Sequence, residues 1–183
     1  TDVQLCDEFV SIQLWAQANK MVNNTDKTKE TVFHRPNLRH CICVPCVFGI
    51  EIVNEVKLLG VVFNDTLHFN SHVNFILKCC SQRAYLLKRF RDQGLSPKHL
   101  NVVFNAIVLS RITYCICAWY GFLSREHIGR FDAFLKRMFN YGYCQQLYTL
   151  SRLCKQYDKT LSKIILNSQS CIHQLLPSES SSH

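Results

Sequence analysis

Near Ser71 the spacing of apolar residues changes from every second position to every third or fourth, so the chain cannot be built from one kind of element. Upstream, TVFH (31–34) is β-branched and aromatic and reads as a strand that Pro36 stops. FGIEIV (48–53) and VKLLGVVF (56–63) read as two further strands joined by Asn54 and Glu55, the spacing of a hairpin, and Gly60 would let another backbone come close. Before them, residues 7–22 carry Phe9, Ile12, Trp15 or Ala16, and Val22 at helical spacing, ended by the turn-rich NNTDKT (23–28).

Downstream the period is helical. Ser71 is a candidate N-cap for a helix with the stripe Val73, Ile76, Leu77, Cys80, Ala84 and Leu87, stopped by Gly94. Ser96 and Pro97 open a second helix through Leu100, Val103, Phe104, Ile107, Val108 and Tyr114, apolar nearly all round and therefore expected at the buried centre of a bundle until Gly121 ends it. Ser124 caps a third, with core positions Ile128, Phe131, Leu135 and Met138, ending near Gly142. A weaker helical pattern covers 146–176, and Pro177 with the polar tail reads as disordered. The expected class is α+β, a small antiparallel strand element followed by a mainly α-helical bundle. Four segments result: 1–69, 70–142, 143–176 and 177–183.

Charge follows the same division. Residues 1–77 hold six cations and eight acids, whereas 78–137 hold eleven cations against Asp92, Glu126 and Asp132, a net of +8 in one stretch. Lys and Arg that neutralise phosphates release counterions and give sequence-independent affinity. Candidates for nucleic-acid contact are Lys78, Arg83, Lys88, Arg89, Arg91, Lys98, Arg130, Lys136 and Arg137. Any one of them is equally an ordinary solvated helix residue; the cluster favours binding. Arg111, in an apolar helix, is expected to be engaged internally.

The eleven cysteines are odd in number and follow no secretory signal, so free thiols in an intracellular, reducing setting (nucleus or cytoplasm) are expected. Cys41, Cys43 and Cys46 could give three thiolates to zinc, with His34, His40, Cys79 or Cys80 as a fourth ligand, but no bound metal is the expectation. His72 reads as a packed, hydrogen-bonded residue, and Trp15, Trp119 and Tyr120 as core. VVFNAIVL (102–109) is the longest apolar run noted, short of the roughly 20 residues a bilayer demands, so no membrane partner is expected.

Four strings in one order carry a family resemblance. WAQANKMVNNTDKTKETVFHRP (15–36) has a Trp, then Asn19, then N-x-x-K-T at Asn24, Lys27 and Thr28, then a strand ending in a basic residue and Pro. KLLGVVFNDTLHFNSHV (57–73) contains K-x-L-G with Leu67 and His72 at fixed spacing, and SRITYCICAWYG (110–121) and FLKRMF (134–139) follow. Together they resemble the part of LINE-type (non-LTR) retrotransposon reverse transcriptases that follows the paired active-site aspartates. Asn23, Asn64 and Phe69 depart from that pattern, standing where the family has an apolar residue, Asp and Trp.

The resemblance implies a palm edge over 9–33, a primer-grip hairpin with Leu59, Gly60 and Val61 at its turn, and a helical thumb over 71–142. It further implies that Lys27 lies near an incoming nucleotide and that the partner is an RNA/DNA template–primer duplex. No adjacent Asp pair occurs in the chain, and two-metal nucleotide addition needs such carboxylates. The expectation is a polymerase fragment opening at Thr1, with no catalytic residue, no small-molecule substrate and no cofactor, Mg2+ serving only the intact enzyme. The competing class is a non-enzymatic basic helical module that binds nucleic acid. LKRFRDQGLSPKHL (87–100) is also similar to a stretch in proteins labelled alkylation-repair oxygenase homologues, but their iron site needs two His and a carboxylate, usually from H-x-D, and this chain has no such triplet.

Overall fold

Helix α1 (Leu5–Ala18) begins the described residues, 4–35 and 47–176 of a computed structural model. It ends four residues short of Val22 because Lys20 takes a left-handed conformation (φ 58°), with Lys20 N–H on the Gln17 carbonyl and Met21 N–H on the Ala16 carbonyl. That pair of bonds is a Schellman cap, built here on a lysine where glycine is usual. Of the two alternatives for the inner face, Ala16 is buried and Trp15 is 61% exposed. The expectation that Trp15 is core is therefore corrected: Leu5, Val10, Ile12 and Leu14 are exposed as well, so apolar residues surround this helix without forming one stripe.

Strand pairing also differs from the sequence reading. Strand β1 (Lys29–Glu30) pairs in parallel with β2 (Glu51–Ile52), and residues 31–34 form no strand. An ion pair joins Lys29 to Glu51, Val53 N–H donates to the Glu30 carbonyl, and Thr31 Oγ1 donates to the Val53 carbonyl. The antiparallel hairpin is β3 (Glu55–Leu58) against β4 (Val61–Asn64), so it folds within VKLLGVVF rather than across Asn54 and Glu55. Leu59 and Gly60 have φ of 47° and 89°, and positive φ at both central residues is what a two-residue I′ turn requires. Asn54 and Glu55 show no positive φ.

Asn64, Phe69 and His72 are each held by local contacts. Asn64 Oδ1 accepts from His68 N–H at 2.6 Å, closing the following turn. Phe69 is buried edge-to-face on Phe63, with ring centres 5.6 Å apart. His72, also buried, accepts the Val62 N–H on Nδ1 at 3.2 Å, which leaves its proton on Nε2.

The chain divides into two compact units, Thr1–His72 and Val73–His183. Helix α2 (Asn70–Asp92) starts one residue before Ser71 and ends at Gly94 (φ 86°), while α6 (Arg125–Asn140) is capped by Ser124 Oγ, which accepts from His127 N–H, and ends at Gly142 (φ 73°). Between them the apolar segment is interrupted: α3 (Pro97–Phe104), a π turn (Asn105–Leu109), α4 (Ser110–Thr113), then left-handed Cys115 and α5 (Ile116–Trp119). It is not buried all round. Leu100, Phe104, Val108, Ile112, Ile116 and Trp119 are inside, but Val102 and Tyr114 are exposed. Pro97–Phe122 is long and apolar enough to cross a membrane by length and composition, which corrects the reading that no stretch approaches this; a third of its apolar 18-residue window is buried in the protein.

Helix α7 (Leu150–Ile165) joins this second unit. Its first amide is satisfied from outside, since Asp132 Oδ1 on α6 accepts the Leu150 N–H at 2.7 Å, while Thr149 makes no side-chain cap. The architecture is α+β, two short strand pairs and a helical bundle.

Gly94 and Gly142 end their helices with the same bonds that Lys20 makes for α1. An L side chain costs roughly 1–2 kcal/mol in that conformation. Gly94→Ala and Gly142→Ala should each lower stability by about 1 kcal/mol in denaturant unfolding, and Lys20→Gly should raise that of the first unit by a similar amount.

Candidate nucleic-acid interface

Phosphate contacts need cations that reach solvent without carboxylate partners. Lys78, Arg83, Lys88, Arg89 and Arg91 lie on α2, Lys98 in the first turn of α3, and Arg130, Lys136 and Arg137 on α6, all in the second unit. The fold sorts these nine into different roles.

Arg83 is turned inward, donating from Nη1 to the Ile107 carbonyl within the π turn. A π turn moves the backbone ladder by one residue, and a guanidinium donor supplies a partner there. Arg111 lies with its guanidinium 5.2 Å from the Phe75 ring centre, engaged internally. Arg130 Nη2 donates to Asn74 Oδ1 at 2.7 Å, tying α6 to α2 while remaining exposed.

Farther along the same two helices lies an open groove of about 260 Å³. Lys88 and Tyr85 line it from α2, Arg137 and Phe134 from α6, and Tyr141 and Tyr143 from the turn that follows. Phe134, Met138 and Tyr143 form its buried part, whereas Lys88, Arg137, Tyr85 and Tyr141 are exposed, and no carboxylate among the described residues lines it. Arg91 holds the end of the groove: Nη1 donates to the Tyr141 carbonyl at 3.0 Å, its guanidinium lies 5.1 Å from the Tyr143 ring centre, and Tyr143 meets Tyr141 edge-to-face at 5.7 Å. Its contact with Asp92, 3.9 Å and exposed, is weak.

Other cations are not gathered here. Lys136 leaves α6 about 100° away from Arg137, and Lys78 and Arg89, three turns apart, share another exposed face of α2. Arg89, Arg91 and Arg137 also sit in last helical turns, where cations offset the macrodipole by about 0.3–1 kcal/mol each. Lys88 and Arg130 lie outside those turns. The tyrosines were not among the sequence candidates, although Tyr85 precedes Lys88 by three residues and Tyr141 follows Arg137 by four, which places each pair on one helical face.

In the first unit, Leu59 and Gly60 form the hairpin tip, with Leu59 82% exposed and Val61 buried beneath. Lys27 is an exposed turn lysine whose N–H donates to Asn24 Oδ1 at 3.1 Å.

Cys41, Cys43, Cys46 and His40 lie outside the described residues. Among those described, no group of three or more His, Cys, Asp or Glu is placed to hold a metal. His34 is paired with Asp65 at 3.4 Å. Cys80, one of the suggested zinc ligands, is buried, and that burial pushes its thiol up to about 12, against opposition from Arg83. Burial likewise raises Cys144 to about 11 and Cys154 to about 12, the latter also through its bond to Asp158. These are neutral thiols at pH 7, not nucleophiles.

No family model, no curated protein and no solved structure matches this chain.

Thiols of the unfolded chain ionise near their ordinary value of 9.0, while Cys80 and Cys154 hold their protons to about 12. Above pH 9 the unfolded state therefore binds fewer protons than the folded one, and stability falls with rising pH. Denaturant midpoints should be unaffected by these groups below pH 8.5 and decline between about 9 and 12, and the decline should shrink in Cys80→Ala/Cys154→Ala.

Proposed function

We propose that this chain is the template–primer-holding part of an RNA-directed DNA polymerase of the LINE-type retrotransposon family, with the metal-clamping aspartates supplied from outside these 183 residues. The observation that carries the reading is the groove between α2 and α6, where Lys88 and Arg137 meet without a carboxylate and Arg91 and Arg130 flank them. Two cations in the groove, with Arg91 at its end and Arg130 farther back on α6, suit the repeating charge of a nucleic-acid backbone and read no sequence. The ordered motifs support the family, and the hairpin tip at Leu59 and Gly60, with Val61 buried beneath it, stands where the family has its primer grip. The partner in this reading is the template–primer duplex, and the packing of one face of Pro97–Phe122 into the helical core supports it over a bilayer. A basic module acting without catalysis shares the surface, and the absence of an adjacent Asp pair favours it for the chain in isolation.

Fluorescence anisotropy on a labelled RNA/DNA duplex over a salt series tests this. With four phosphates neutralised, log Kobs should fall against log salt with a slope of about −3 to −4. Lys88→Gln and Arg137→Gln should each reduce the slope by about 1, and Lys136→Gln should leave it nearly unchanged. Arg83→Met should cost about 1.5–3 kcal/mol of stability, through the lost bond to Ile107, without altering the slope. A salt-independent response would end the reading, and so would nucleotide incorporation by this chain alone.

A further inference from the structure

Duplex binding explains the cations of the groove but gives its tyrosines nothing to do. Tyr85 is 61% exposed and Tyr141 is 50% exposed, and both line the same hollow as Lys88 and Arg137. Bases inside a duplex are stacked on one another and present edges and phosphates, not faces, whereas an unpaired base is free to lie flat on an aromatic ring. The volume, about 260 Å³, falls below the roughly 300–1,000 Å³ of a small-molecule site, yet it admits one ring system whose sugar and phosphate stay outside. Tyr141 is also held in place. Its ring packs on buried Tyr143, Tyr143 carries the Arg91 guanidinium, and Arg91 closes the loop on the Tyr141 carbonyl.

We propose that the Tyr85–Tyr141 groove is a single-strand site, stacking one unpaired base of an overhanging RNA or DNA end while Lys88 and Arg137 take the adjacent phosphates. This rests on the reading of the second unit as a nucleic-acid-binding surface and adds a ligand form that the surface distinguishes from a duplex. Cations and aromatics lining one groove are the combination by which single strands are held without sequence readout. A polyanion lacking bases satisfies the cations alone, and so does a duplex.

The full chain is titrated by anisotropy with an oligothymidylate, an abasic strand of equal length and charge, and a duplex of equal length. The oligothymidylate should bind about tenfold more tightly than the abasic strand, the effect of one stacked base. Tyr85→Ala, at an exposed position, should remove that difference and leave duplex affinity unchanged, and Tyr85→Phe should restore it because the ring face is retained. Lys88→Gln should weaken all three ligands. Equal affinity for oligothymidylate and abasic strand, with duplex binding intact, overturns this inference and leaves the duplex reading standing, and a Tyr85→Ala loss that extends equally to the abasic strand does the same. Loss of salt-dependent binding to every ligand overturns both.

Discussion

Six side chains set the helical unit: Leu100, Phe104, Val108, Ile112, Ile116 and Trp119, none more than 2% exposed. Burial of each is worth roughly 1.5–3 kcal/mol relative to exposure. Their spacing is four, four, four, four and three residues, and in a straight α-helix every step of four drifts by about 40°. A stripe with that spacing would wind off the core. The π turn at Asn105–Leu109 winds less per residue and carries the stripe back, and the left-handed break at Cys115 re-aims Ile116 and Trp119. Trp119 then packs its ring 5.7 Å from Phe131 of α6, and its indole N–H reaches the Tyr114 carbonyl at 3.1 Å.

That irregular central segment decides the fate of the cations. Arg83 on α2 is used by the π turn, and Arg111 settles over Phe75, so two members of the basic stretch serve the fold. With the inner sides of α2 and α6 committed to the core, Lys88, Arg91, Arg130 and Arg137 remain along the seam between them. The two helices end in paired Schellman caps at Gly94 and Gly142, and Arg91 bridges from one end to the other through the Tyr141 carbonyl. Groove and caps are therefore one construction: the turn that stops α6 is also the turn that presents Tyr141.

Much of the helical half was legible because its signals are local. Pro97, Ser124, Gly94 and Gly142 act within a few residues of themselves, although Ser96 makes no side-chain cap, and of the expected stripes Val73, Ile76, Cys80, Leu87, Phe131, Leu135 and Met138 are buried while Leu77, Ala84 and Ile128 are half-buried. The strand half was less legible because short apolar runs carry no information on partner choice. Glu51–Ile52 joined Lys29–Glu30 in parallel, and the hairpin moved to Leu59–Gly60, where turn geometry outweighed the spacing of the runs. Trp15 was misplaced for a related reason, since a helix with apolar residues on all sides does not announce which side is covered.

The sequence by itself determined the α+β class, the limits of the capped helices and the concentration of net positive charge in residues 78–137, all of them properties that neighbouring residues settle among themselves. Tertiary structure alone decided that Asp132 would cap α7, that Arg83 would be spent on a carbonyl twenty-four residues away, and that Tyr85 would share a groove with Tyr141. Those pairings depend on which helix faces are pressed together, and a chain specifies that only through the shape of the core that all its buried residues fill at once.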